Sequence, residues 1–254
     1  MSYFFIILVF IFGLAVGSFL NCLIWRLYKE ETLGGRSYCP KCRQPIAWYD
    51  NLPLLSFIFL KGRCRHCQQK ISWQYPLVEI ITALLLTIIF LKNLDSLQLS
   101  LILLRDWLFV AGLIVVFVYD LRWQMIPMLI IWPLLAVIFI LNLWLGFSWF
   151  SLLIFAVVGG LFFLIQYLLT KKQGVGEGDI WLGVLLGLAF PSGSELLLLL
   201  VISYGVGALI SIILMLSGQK NWKSKIALGP FLVFGAIITL IWSGPLINWY
   251  FGLF

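Results

Sequence analysis

Two carboxylates stand where an apolar chain has least use for them. Asp120 closes the apolar run 110–119 and precedes Leu121 and Arg122. Asp179 ends the glycine-rich stretch Lys171-Lys172-Gln173-Gly174-Val175-Gly176-Glu177-Gly178-Asp179, after which apolar sequence resumes at Ile180. An ionisable group at the bilayer centre costs roughly 2.5–3.5 kcal/mol on insertion scales, so a carboxylate at such a boundary marks a functional position by default. Paired carboxylates can run hydrolysis. The ionised one takes a proton from water and the neutral one donates to a carbonyl oxygen. Like charges a few ångström apart keep one of the two protonated, and the titration belongs to the pair rather than to either residue. Asp120 and Asp179 are therefore expected to meet at the edge of a helical bundle and cleave a peptide bond. Taken alone, Asp120 reads as a helix-end carboxylate paired with Arg122; the matching place of Asp179 argues for catalysis. Gly176 and Gly178 are the expected supporting loop residues, since glycine tolerates conformations that a Cβ forbids. Asp95, Asp106 and Glu195 are expected to be dispensable for cleavage.

Four cysteines form a second constellation. Cys39-Pro40-Lys41-Cys42 and Cys64-Arg65-His66-Cys67 bracket a 21-residue insert. Two CxxC pairs have the spacing of a tetrahedral zinc site, each pair reaching one metal through a tight turn. A cytosolic loop would keep the thiols reduced and favour metal over disulfide; two redox-active dithiols, or an empty site, are the alternatives. His66, the only histidine, reads as a solvated loop residue rather than a further ligand, and Cys22 as a buried apolar side chain.

The elements that must position these groups are membrane helices. Of 254 residues, 63% are hydrophobic and 11% charged, and the mean hydropathy is +1.08. No water-soluble domain needs that much apolar surface. The net charge of +7 does not signal nucleic acid, because the basic residues track loops and read as topology determinants and attraction to anionic lipid. Apolar segments at 3–25, 77–91, 101–119, 126–145, 149–170, 180–190, 196–216 and 226–242 predict about eight transmembrane helices in an all-α bundle. The segment 180–190 is short and is expected to begin inside the loop that carries Asp179. If the spans alternate, loops on one side hold fifteen of the seventeen Lys and Arg, nine of them within 26–70. The other side holds Lys92 and Arg105. The positive-inside rule makes the rich side cytoplasmic, and Asp120 and Asp179 then both lie at cytoplasmic helix ends. Basic residues follow the first apolar run rather than precede it, so that run reads as a retained helix with its N-terminus outside, not as a cleaved signal. The expected organisation is a first transmembrane helix at 1–25, a cytoplasmic cysteine-rich loop at 26–76, and a membrane-embedded core at 77–254. Gly13/Gly17, Gly183/Gly187 and Ser203/Gly207 have the spacing of close helix packing.

These residues occur in an order that resembles a known family. The first helix carries Gly17-Ser18-Phe19-Leu20-Asn21-Cys22 and then Arg26-Leu27. The loop reads Trp48-Tyr49-Asp50-Asn51-Leu52-Pro53-Leu54-Leu55-Ser56, Lys61-Gly62-Arg63 before the second cysteine pair, and Tyr75-Pro76-Leu77-Val78-Glu79. Asp120-Leu121-Arg122 with Ile126-Pro127, then Gly176-Glu177-Gly178-Asp179, then Leu228-Gly229-Pro230-Phe231-Leu232 complete the set. Nearly the whole chain is similar to the bifunctional type IV prepilin peptidases, GxGD-type membrane aspartyl proteases that are also N-methyltransferases. Met128 departs from the acidic or small polar residue usual after Ile-Pro in that family, which bears on fine specificity rather than on the aspartate pair. The resemblance implies prepilin or pseudopilin substrates of type IV pilus or type II secretion systems, whose short basic leader is removed at the cytoplasmic face of the bacterial inner membrane. It also implies methylation of the new N-terminal amine by S-adenosylmethionine. No nucleotide-binding pattern accompanies that second activity: Gly174-Val175-Gly176 imitates a phosphate loop but follows no strand. The donor site falls to the cytoplasmic loop by resemblance alone. Glu79 reads equally as a ligand for a substrate or donor amine and as an interfacial glutamate reaching to water. The rival classes are an ion-coupled transporter, which places carboxylates near the midplane of related halves, and a non-enzymatic scaffold. Replacing either aspartate would leave a scaffold intact and a protease dead.

Overall fold

The computed structural model describes residues 2–94, 99–171, 174–219 and 226–251. Lys172, Gln173, Lys220, Lys223, Lys225 and Asp95 lie outside the described residues. The helices are α1 (Ser2–Lys29), α2 (Leu55–Phe59), α3 (Gln74–Lys92), α4 (Leu99–Trp123), α5 (Met128–Trp144), α6 (Trp149–Leu169), α7 (Glu177–Ala189), α8 (Gly193–Leu216) and α9 (Gly229–Phe251). Among the described residues there is no strand, only two isolated antiparallel bridges, Tyr38 with Pro45 and Arg63 with Lys70. An all-helical answer follows from composition, because in lipid a segment must satisfy its own backbone groups. Six helices, α1, α3, α4, α6, α8 and α9, are long and apolar enough to cross a membrane. The remaining two expected spans are shorter: α5 has 17 residues and α7 has 13. At 1.5 Å per residue α7 reaches only about 20 Å.

The chain divides into two compact units, Met1–Ser96 and Leu97–Phe254. In the first, α3 packs along α1, so α3 belongs with the cysteine loop rather than with the aspartate-bearing helices. The contact is close because of glycine. A Cβ on Gly17 would fall 2.6 Å from the Cα of Glu79, and one on Gly13 would meet Ala83. Arg26, only 4% exposed, pins the chain leaving α1: its guanidinium donates to the carbonyls of Thr32, Gly34, Gly35 and Arg36 at 2.7–3.3 Å. Cys22 is half-buried and within 4.0 Å of the Ser37 hydroxyl.

In the second unit α6 lies on α7, α8 on α9, and α4 is flanked by α5 and α9. Gly187 packs against the Phe155 carbonyl and Gly159 against the Gly183 carbonyl, so α6 and α7 meet backbone to backbone. Gly207 faces the Phe231 ring, and Gly235 faces the Ser203 hydroxyl. All three small-residue pairs expected from spacing therefore sit on helix–helix contacts. A polar cluster holds α4, α5 and α7 together away from the aspartates. Arg105 pairs with buried Asp106 at 2.7 Å and donates to Asn142 Oδ1 at 3.2 Å. Asn142 in turn donates to the Leu188 carbonyl at 2.8 Å. Arg105 is thus a half-buried ion-pair partner on a helix, not a solvated loop charge.

Candidate active site and metal centre

Asp120 sits in the last turn of α4 and Asp179 in the first turn of α7. They are 5% and 8% exposed, so both carboxylates are withdrawn from bulk solvent. Each is held by one backbone N–H. Gly176 donates to Asp179 Oδ2 at 2.8 Å, closing the first turn of α7 as an N-terminal cap. Gly229, at the start of α9, donates to Asp120 Oδ2 at 3.0 Å. Among the described residues the Oδ1 of neither aspartate accepts a hydrogen bond, which leaves that oxygen to water or substrate. The two groups are close enough to sense each other, since the Asp179 charge acts on the Asp120 carboxyl. Arg122 does not pair with Asp120; its guanidinium lies 5.7 Å from the centroid of the Trp123 ring. The helix-end ion pair that would have made Asp120 merely structural is absent among the described residues.

Of the supporting glycines, Gly178 acts sterically and Gly176 through its backbone N–H. Gly176 has an ordinary extended backbone (φ −84°, ψ 162°), and Gly178 is helical. A Cβ on Gly178 would lie 2.8 Å from the Cβ of Ile126, so this glycine lets the loop before α5 press on α7. Conformational freedom, the reason expected from sequence, is not what these positions use. Gly229 is the site residue that sequence reasoning missed: a Cβ there would lie 2.5 Å from Asp120 Oδ2. Its signal was the Leu228-Gly229-Pro230 string, quoted only as part of a resemblance. Glu177 accepts a hydrogen bond from the Tyr167 hydroxyl at 2.7 Å, tying the loop to α6. Asp106 and Glu195 lie elsewhere, the first on Arg105 and the second accepting from Ser243 Oγ at 3.0 Å.

The sulfurs of Cys39, Cys42, Cys64 and Cys67 all lie within 4.8 Å of one another, with Cys39 and Cys67 3.8 Å apart. Four thiolates about 2.3 Å from one zinc stand about 3.8 Å apart in a tetrahedron, so the donor set fits that ion. His66 is exposed and outside the cluster.

Each cysteine pair is a knuckle, and the two knuckles are copies. Arg43 N–H donates to Cys39 O, as Gln68 N–H does to Cys64 O. Cys39 N–H donates to Gln44 O, as Cys64 N–H does to Gln69 O. Arg43 and Gln68 both have φ of 57°. The repeat is legible in Cys39-x-x-Cys42-x-Gln44-x-Ile46-Ala47-Trp48 and Cys64-x-x-Cys67-x-Gln69-x-Ile71-Ser72-Trp73. Arg65 joins them, donating Nε and Nη2 to Asp50 at 2.8 and 2.6 Å and holding that carboxyl below the usual range. The backbone N–H of Cys67, against the pull of burial, lowers the Cys64 thiol to about 7, whereas at Cys42, against the Gln44 backbone N–H, burial and the neighbouring thiols push the thiol up to about 11.

Both units have sequence relatives. Residues 11–93 match the bacterial peptidase A24 N-terminal domain and residues 107–252 match the type IV leader peptidase family. The prepilin leader peptidase/N-methyltransferase of Aeromonas salmonicida (strain A449) is 33% identical over 274 residues, covering 96% of this chain and 92% of that protein. The protein of the same name from Aeromonas hydrophila is 35% identical over 273 residues, with the same two coverages. That from Bacillus subtilis (strain 168) is 31% identical over 248 residues and 96% of each chain. No solved structure matches. With one family profile lying over the zinc-type knuckles and the other over both aspartates, the chain belongs to the type IV leader peptidase family.

Proposed function

We propose that this chain is a prepilin leader peptidase with N-methyltransferase activity, and that Asp120 and Asp179 cut the leader while Cys39, Cys42, Cys64 and Cys67 hold a structural zinc ion. The observation that carries the catalytic assignment is that two buried carboxylates stand at helix ends of the same unit, each fixed by a single backbone N–H. One carboxylate takes a proton from water as the other donates to the scissile carbonyl oxygen, which a lone group cannot do in one step. Gly229 and Gly176 orient the acceptor oxygens, and the apolar helices around them keep the dielectric low. The substrate is a prepilin or pseudopilin whose apolar segment lies in the bilayer, with its basic leader on the cytoplasmic side. The distribution of Lys and Arg supports that sidedness, and the membrane is the bacterial inner membrane. S-adenosylmethionine would supply an electrophilic methyl carbon to the freed N-terminal amine. Mass spectrometry of a co-expressed pilin-like substrate tests both activities together. Wild type should yield a trimmed and methylated N-terminus, and Asp120→Asn or Asp179→Asn an intact leader. Substantial trimming by either variant would refute the aspartyl pair.

A further inference from the structure

One buried acid lies in the first unit, which does not carry the two aspartates. Glu79, on α3, is 7% exposed, and its partners are neutral: Oε2 accepts the Leu54 N–H at 2.9 Å, and the Ser18 hydroxyl also donates to the carboxylate. Neither described ion pair involves it. The residues beside it form a polar nest between two apolar helices. Asn21, 2% exposed, donates to the Tyr75 carbonyl at 3.0 Å and accepts from Gln74 Nε2 at 3.2 Å. Leu54 is held against Glu79 with φ of 58°, a left-handed backbone that leucine rarely adopts. The loop residue is thus bent onto the acid.

As an anchor for one N–H and one hydroxyl, a carboxylate is a poor choice. A glutamine oxygen would accept the same hydrogen bond without the desolvation that a buried charge incurs. The negative charge itself must have a use, and a buried carboxylate is used when a cation joins it. We propose that Glu79 is the binding site for a primary ammonium, the α-amine exposed on the substrate when the leader is cut. This rests on the methyl-transfer reading above. The amine arrives largely as an ammonium, since α-amino groups titrate near pH 7.7–8.0, and an ammonium has no lone pair to alkylate. Glu79 pairs with it and takes one proton onto a carboxylate oxygen. The nitrogen lone pair is then free to form the bond to the methyl carbon of a sulfonium donor, whose S–C electron pair stays on sulfur.

The test uses the zinc-loaded full chain in detergent with a synthetic peptide that begins with a free α-amine and an apolar segment, beside its N-acetylated copy. A zero-length carbodiimide should join the peptide nitrogen to Glu79 of the wild-type protein, found as an amide by mass spectrometry. Glu79→Gln keeps an acceptor oxygen for the Leu54 N–H and removes the charge, exchanging the other oxygen for an NH2 donor. Wild type should bind the free-amine peptide at least about tenfold more tightly than the acetylated one, as expected for a buried charge pair. The Gln variant should lose that preference while retaining zinc and leader cleavage, and Glu79→Asp should restore part of it. An amide found only at other carboxylates, or formed with the donor's amine instead of the peptide's, overturns the assignment, as does an undiminished preference in the Gln variant. The two readings fail separately. If wild type trims its substrate but never adds a methyl group, the methyl-transfer reading fails. If wild type and Glu79→Gln methylate at the same rate, the Glu79 assignment alone fails.

Discussion

At the scale of single residues, the site depends on which oxygen of each aspartate is already engaged. Asp120→Asn and Asp179→Asn preserve size and insert into lipid at least as easily as the acids. A complete loss of leader removal with normal membrane insertion would therefore report chemistry rather than folding. Because the carboxylates act as a unit, the double variant should be scarcely worse than either single one. Gly229→Ala is a finer probe. Its methyl would lie where Asp120 Oδ2 now is, within 2.5 Å, so the carboxylate must shift by a good fraction of an ångström. Displacements of that size cost on the order of 10²-fold in rate, and single-turnover cleavage should show a slower chemical step with substrate affinity little changed. Both aspartates were legible in the sequence, because a carboxylate at the rim of an apolar run is conspicuous. Gly229 was not. Its contribution is a backbone N–H delivered 109 residues away from its acceptor, and no side-chain chemistry marks it.

At the scale of elements, α6 and α7 are the pair to disturb. Gly187 and Gly159 bring the two backbones into contact, so Gly187→Val must push α7 off α6 and carry Asp179 with it. Leader cleavage should fall to background while zinc content is unchanged, because the cysteine cluster belongs to the other unit; zinc loss in this variant would contradict that separation. The cluster of Arg105, Asp106 and Asn142 is expected to be structural. Asn142→Leu removes an acceptor from Arg105 and leaves the Leu188 carbonyl without its donor, which should destabilise the second unit by about 1–3 kcal/mol, read as a lower Tm in detergent. Asp106→Asn should leave the catalytic step intact, as the sequence led one to expect, although burial makes this acid less innocent than an exposed one. That burial was hidden because Arg105 and Asp106 are neighbours in sequence and look like a solvated pair. The helices themselves were easy to place, hydropathy being a strong signal over 20 residues. The pairing of α3 with α1 was harder, since Gly13 and Gly17 announce a close contact without saying with what.

At the scale of the whole molecule, the two units should fail independently. Chelation, or acid that reprotonates the thiolates, should remove about one zinc per chain and damage methylation or stability more than cleavage; Cys42→Ser with Cys64→Ser should do the same. A Cys39–Cys42 disulfide in protein from a reducing cytosol would contradict the metal reading. The cysteine spacing disclosed a cluster that could hold a metal, whereas the duplication of the knuckles is harder to see, because a match over ten residues is too short to look like a domain repeat. There remains the length of α7. Thirteen residues reach about 20 Å, some 10 Å less than the hydrocarbon of an ordinary bilayer, and Asp179 stands at one end. A helix that short makes the surrounding lipid thin or lets its ends become wet, and a hydrolase needs water at that very end. The enzyme should therefore be sensitive to hydrophobic mismatch. Reconstituted into bilayers of increasing acyl-chain length, it should cleave more slowly as the membrane thickens, at equal protein incorporation.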